Sequence, residues 1–192
     1  MRIAVIGTGR IGATIGNALA KAGHEVTFGS RHPESTTGLE AKVADLADAL
    51  SPAQAVLLAL PAAAVADVLA EHAGALDGKL VIDATNNMGA LTANASQQIL
   101  SAVPGARYVR AFNTLGWENF ADPLFESVPA DLFFSAAAAD REAVEELITG
   151  VGLRPAYLGE GKHDVVDAAL PLWFALTQAR GNRHIAFRVL EK

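Results

Sequence analysis

The chain has 192 residues, 51% of them hydrophobic and 19% charged, with a formal net charge of −6. That length suits one domain, or one domain with a modest extension, and the composition is enough to fill a globular core. The negative balance argues against nucleic acid as a partner. The absence of cysteine excludes disulfides, thiolate nucleophiles and thiolate metal sites.

In chain order, the apolar run over residues 2–6 reads as a strand and residues 10–22 as an amphipathic helix. Between them lies Gly7-Thr8-Gly9-Arg10-Ile11-Gly12, a GxGxxG turn in the strand-to-helix context that gives the motif its meaning. Gly7 permits the sharp turn, Gly9 lets the backbone approach a pyrophosphate, and Gly12 lets the helix pack on the sheet. The free N–H groups at the helix start, with the helix dipole, then hold the phosphates.

Residues 25–28 read as the second strand, followed by Gly29-Ser30-Arg31-His32. A site for NAD usually places Asp or Glu roughly 20 residues beyond the glycines, to accept from the ribose 2′-hydroxyl. Glu25 falls too early for that, and a hydroxyl and a guanidinium stand where the carboxylate would be. A phosphate needs donors and positive charge, so Ser30 and Arg31 point to NADP(H). The alternative is a surface arginine with NAD bound regardless.

Further on, residues 39–50 look helical and 55–60 form an apolar strand. Pro61 opens a helix running to about residue 73. The Ala-rich stretch over 53–70 holds Gln54, Pro61 and Asp67, so it suits strand, turn and helix better than a membrane span. Residues 79–83 are another buried strand and 92–102 a helix. The strand candidates end with 107–112, 131–134 and 154–158, and a helix over 140–149 has Asp140 as its N-cap. The tail over 163–192 reads as two helices joined near Gly181-Asn182, with Pro171 kinking the first.

This alternation predicts a Rossmann-type α/β fold, a doubly wound and mostly parallel sheet with a short C-terminal helical extension. The expected division is a nucleotide-binding domain over 1–162. An extension over 163–192 packs on the same domain or on a dimer partner. Ligands in such sheets bind at the carboxyl ends of the strands. That rule adds Leu60 and Pro61, Ala84 and Asn86, and Asn113 to the candidate cofactor contacts. Only some 30 residues follow the nucleotide fold, too few for the substrate domain many dehydrogenases carry. The five histidines lack metal-ligand spacing, and no metal is expected. With no secretory segment read at its start, the protein is expected in the cytoplasm.

Three further segments join the glycine turn and Phe28-Gly29-Ser30-Arg31: Asp83-Ala84-Thr85-Asn86-Asn87-Met88, Val109-Arg110-Ala111-Phe112-Asn113-Thr114-Leu115 and Ala169-Leu170-Pro171-Leu172-Trp173. With them the chain resembles the NADPH-dependent F-420 reductases, and the related cytoplasmic domain of the six-transmembrane metalloreductases. The resemblance implies hydride transfer between NADP(H) and a deazaflavin (F-420) or a flavin such as FMN or FAD, by a homodimer. By position, Thr8 to Gly12 would hold pyrophosphate, Ser30 and Arg31 the 2′-phosphate, and Leu60 and Pro61 the ribose and nicotinamide. Asn113, Thr114 and Leu115, with Pro171, Leu172 and Trp173, would border the acceptor. F-420 reductases often carry histidine where Asn113 stands, and the asparagine is nearer the metalloreductase type.

The two rings carry the chemistry, so no acid, base or nucleophile is expected among the catalytic parts. A sensor that binds NADP(H) without turnover, and a reductase of small imines or ketones, are the competing readings. The imine reductase would need a dimer to complete its pocket.

Overall fold

The computed structural model describes residues 1–89 and 92–192. Strands β1 (Arg2–Ile6), β2 (Glu25–Gly29), β3 (Lys42–Ala44), β4 (Ala55–Leu58), β5 (Leu80–Asp83) and β6 (Arg107–Arg110) form one sheet. Its order is β3-β2-β1-β4-β5-β6, every neighbouring pair parallel. The order reverses between β1 and β4, and the gap at their carboxyl ends is where a doubly wound sheet receives its ligand.

Both faces of the sheet are covered, which is why its strands read as continuous apolar runs. Ile3, Val5, Leu57, Ile82 and Val109 project into one core cluster. Their alternates Ala4, Ile6, Val56, Leu58 and Val81 project into another. Helix α1 (Arg10–Lys21) turns Gly12, Ile15, Gly16 and Leu19 inward, the one-face spacing of an amphipathic helix. Burying Ile15 and Leu19 contributes about 1.5–3 kcal/mol each.

Residues 39–50, expected to be one helix, divide instead into β3 and the short α2 (Leu46–Leu50). Asp45 sets the boundary, because its Oδ1 accepts the Asp48 N–H at 2.8 Å and caps α2. Helix α3 (Val65–Leu76) follows a 3-10 turn over Ala62–Ala64. Helix α4 (Ser96–Ala102) starts later than expected, since Asn94 accepts from the N–H and hydroxyl of Ser96.

Beyond β6 come α5 (Trp117–Ala121), a two-residue hairpin of β7 (Leu124–Phe125) and β8 (Val128–Pro129), then β9 (Asp131–Phe134). Helix α6 (Arg141–Gly150) and β10 (Arg154–Tyr157) complete the body. β9 and β10 pair in parallel, and an antiparallel bridge between Arg110 and Ser135 ties them to the sheet edge. Asp140 stands at the N-cap of α6 without capping it; its carboxylate is taken by Arg107.

The tail departs from expectation in its second half. Helices α7 (His163–Asp167) and α8 (Ala169–Arg180) are broken at Ala168. Pro171 accounts for the break: it has no N–H for the Asp167 carbonyl, and its ring would strike that oxygen. Gly181, at φ +59°, ends α8 in a left-handed cap. No helix follows it. Residues 182–192 instead run as a strap, with Asp131 N–H donating to the Phe187 carbonyl at 2.9 Å. Among the described residues no helix is long and apolar enough to cross a membrane.

Candidate functional site

The glycine turn has two collisions built into it. A Cβ on Gly7, whose φ is +113°, would overlap the Ala59 carbonyl, and one on Gly12 would overlap the Gly7 carbonyl. At Gly9 the same Cβ would meet nothing within 4 Å. Gly9 is also the N-cap of α1 and offers no side-chain acceptor, and the first turn holds no acidic residue. The leading N–H groups therefore face free space with an uncompensated positive helix end. That is the cradle a pyrophosphate requires, and the residues fit it.

A cleft of about 700 Å³ opens beside this turn. Gly7, Thr8, Gly9, Ser30, Arg31, Leu60 and Pro61 line it, so the three segments named from sequence converge on one space. Arg31 is exposed and enters no ion pair among the described residues, which leaves its guanidinium available. Glu25 lies at the opposite end of β2, paired with Arg2, and cannot reach the cleft. Ile11 packs against the core and Gly12 lies against the Gly7 carbonyl, and neither lines the cleft. Arg10 points elsewhere: its guanidinium lies over the Trp117 ring, 5.5 Å from the centroid.

Several lining residues carry no motif and were missed from sequence. They include Thr36, Leu46, Asp67, Val68 and His72, from the loop after β2, from α2 and from α3. The spacing of Val68 and His72 on one face of α3, in line with Ala64 at its N-cap, was the available signal.

A second group of polar residues is gathered at the ends of β5 and β6. Arg110 is fully buried, and its guanidinium makes four hydrogen bonds and a close ion pair. Nε donates to Asp167 Oδ1 at 2.7 Å, and Nη1 to the carbonyls of Asp83 and Thr85 at 3.0 and 2.7 Å. Nη2 donates to Asn86 Oδ1 at 3.0 Å and lies 2.6 Å from Asp167 Oδ1. Asp83 in turn accepts from Thr85, from the Ala95 N–H and from the Tyr108 hydroxyl. Burial and the neighbouring Asp83 carboxylate push the Tyr108 phenol well above its usual range.

This network fixes Asn86 and Asn113. Asn86 Nδ2 donates to the Asn113 carbonyl at 2.8 Å, and Asn113 Nδ2 donates to Asp167 Oδ1 at 2.9 Å. Asp167 can only accept, so the amide of Asn113 is oriented with its oxygen free. Asn113 Oδ1 is buried and has no hydrogen-bond partner among the described residues. Phe112 just before it holds a φ of +62°, a backbone conformation that bulky side chains rarely adopt. Ala84 sits beside this network, while Thr114 and Leu115 are buried behind it. None of these residues lines the large cleft.

The tail residues divide. Pro171 and Leu172 are exposed, whereas Trp173 is only 1% exposed and belongs to the core. Its Nε1 donates to the Ile185 carbonyl at 2.7 Å, and Arg183 covers the ring at 5.0 Å. An aromatic wall for a planar ligand is therefore not what Trp173 provides in this structure; the strap has closed over it. Among the described residues no three His, Asp or Glu are grouped to hold a metal ion.

Residues 2–87 match the family described as NADP oxidoreductase, coenzyme F420-dependent. This stretch holds the glycine turn, Ser30, Arg31, Leu60 and Pro61. Over that stretch the chain is similar to that family. A solved structure from Arthrobacter sp. FB24, described as a candidate F420-dependent NADP-reductase, is 28% identical; the two superpose with a TM-score of 0.86 over 100% of each chain. A hypothetical protein of Sinorhizobium meliloti is 29% identical, with a TM-score of 0.71 over 100% of this chain and 96% of that one. An imine reductase of Streptomyces aurantiacus, at 19% identity and a TM-score of 0.72, shares the fold over 92% of this chain and 61% of its own.

The glycerol-3-phosphate dehydrogenase [NAD(P)+] of Pseudomonas fluorescens is 32% identical over 124 residues. That match covers 55% of this chain and 35% of the enzyme. The chain thus spans about a third to a half of the length of the curated dehydrogenases it matches.

Proposed function

We propose that the protein binds NADP(H) in the large cleft and exchanges hydride with a planar acceptor, a deazaflavin such as F-420 or a flavin. The observation that carries this reading is the convergence of the glycine turn with Ser30 and Arg31 on one cleft, from which Glu25 is absent. The N–H groups of the first turn of α1 would take the pyrophosphate, Ser30 and Arg31 the 2′-phosphate, and Leu60 and Pro61 the ribose beyond. NADPH, when bound, supplies the hydride; the protein supplies position and the exclusion of water. Asn113 keeps Oδ1 and one Nδ2 hydrogen without a partner among the described residues, so its amide would serve either a carboxamide or a ring carbonyl. Acid or base catalysis by a side chain is no part of the proposal.

A homodimer belongs to the same reading. Val165 and Leu172, both more than half exposed on α7 and α8, offer apolar positions that a second copy would cover.

A second reading, a reductase of small imines or ketones, is favoured by the fold shared with imine reductases. The chain spans 61% of such an enzyme. The test is NADPH oxidation followed by absorbance with F-420, FMN, FAD, riboflavin and a cyclic imine side by side. Turnover with a deazaflavin or flavin is expected. Turnover with the imine alone would replace the proposal by the second reading. Tight NADPH binding without any turnover would make the protein a sensor.

A further inference from the structure

Ser30 is held within a small circuit of hydroxyls that the family motif does not include. Its Oγ accepts the His32 N–H at 3.1 Å and lies 3.1 Å from Thr36 Oγ1. Thr36 Oγ1 gives its own hydrogen to the His32 carbonyl at 3.0 Å, so the hydrogen between the two hydroxyls belongs to Ser30. The His32 carbonyl also receives the Ser35 N–H at 3.2 Å and the Ser35 hydroxyl at 3.1 Å. Three donors thus share an oxygen with two lone pairs. One can leave without orphaning the carbonyl. Ser35 and Thr36 both line the cleft with Ser30 and Arg31, but of the two only the Thr36 hydroxyl also meets Ser30 Oγ, which places it beside the other phosphate contacts as the donor to leave.

We infer that Thr36 is a third ligand of the cofactor's 2′-phosphate, its hydroxyl turning from the His32 carbonyl to a phosphate oxygen when NADP(H) binds. This rests on the assignment of Ser30 and Arg31 to that phosphate. A dianionic acceptor outcompetes a neutral carbonyl already supplied twice. NADH, lacking the phosphate, gives Thr36 no reason to turn, so the residue contributes to the choice between the two cofactors.

Dissociation constants for NADPH and NADH, measured by nucleotide fluorescence on the purified protein, test this in Thr36→Val, Thr36→Ser and Arg31→Ala. Thr36→Val, which keeps the branched shape, is expected to weaken NADPH about ten-fold and leave NADH unchanged. Thr36→Ser should restore most of the loss. If Thr36→Val leaves NADPH unaffected, or weakens both cofactors equally, the inference fails. Arg31→Ala separates the two levels: a selective loss of NADPH there keeps the phosphate assignment even when Thr36 fails. An equal loss of both cofactors in Arg31→Ala removes the assignment and the inference together.

Discussion

At Gly9 the backbone is ordinary, with φ −72° and ψ 179°, and a side chain there would touch no protein atom. Its restriction therefore comes from the ligand, unlike that of Gly7 and Gly12, whose restriction comes from the fold. Gly9→Val is expected to abolish NADPH binding while lowering Tm by only a few degrees, the effect of about 1 kcal/mol at a helix N-cap. Calorimetric titration beside thermal melting checks this, and retained binding would contradict the turn assignment. Ser30 and Arg31 were legible because the motif fixes where to look for them. Thr36 was not, because its importance lies in a circuit of hydroxyls that closes only when residues 30–36 fold back on themselves.

Among the elements, the alternating apolar strands declared themselves, since burial on both faces leaves an unbroken hydrophobic run. Three-residue β3 did not. Lys42-Val43-Ala44 has no periodicity of its own, and only pairing with β2 makes it a strand. The short α7 carries more than its length suggests: Asp167 binds Arg110 and Asn113, and His163 lies edge-on against Tyr108 at 4.7 Å. Nothing local in the sequence joins residues more than 50 positions apart, so this cluster was invisible.

Burial lowers the His163 pKa below its ordinary 6.5, because the half-enclosed ring resists taking a proton. Below that pH the unfolded chain binds a proton that the folded one refuses, and stability falls; above it His163 contributes nothing to the pH dependence. Melting curves from pH 7.5 to 5.0 should show His163→Asn losing less stability toward acid than the wild type. Parallel losses would remove His163 as the cause.

Taken as a whole molecule, the body and the tail share one core. Trp173 is sealed by the strap that Asp131 and Arg154 fasten: Arg154 binds Asp131, and Asp131 Oδ2 accepts the Val189 N–H at 2.6 Å. Trp173→Ala is therefore expected to cost about 3–5 kcal/mol, a fall in Tm of roughly 10 °C, and to leave NADPH affinity near that of the wild type. A substitution that left Tm unchanged would return Trp173 to the role of a ligand contact. Aromatic composition alone could not decide between these roles, because the strap that buries the ring has no helical or strand pattern to announce it.

The Asp83–Arg110–Asp167 cluster has a further consequence, in its response to heat. Hydration of ionised groups grows less favourable on warming, so the cost of keeping these three from water shrinks as temperature rises. Apolar replacements of the set would compare best in the cold and lose that advantage near the melting point. The ends of β5 and β6, with Asn86 and Asn113 attached, are thus held by the kind of contact that weakens last when the rest of the protein begins to loosen.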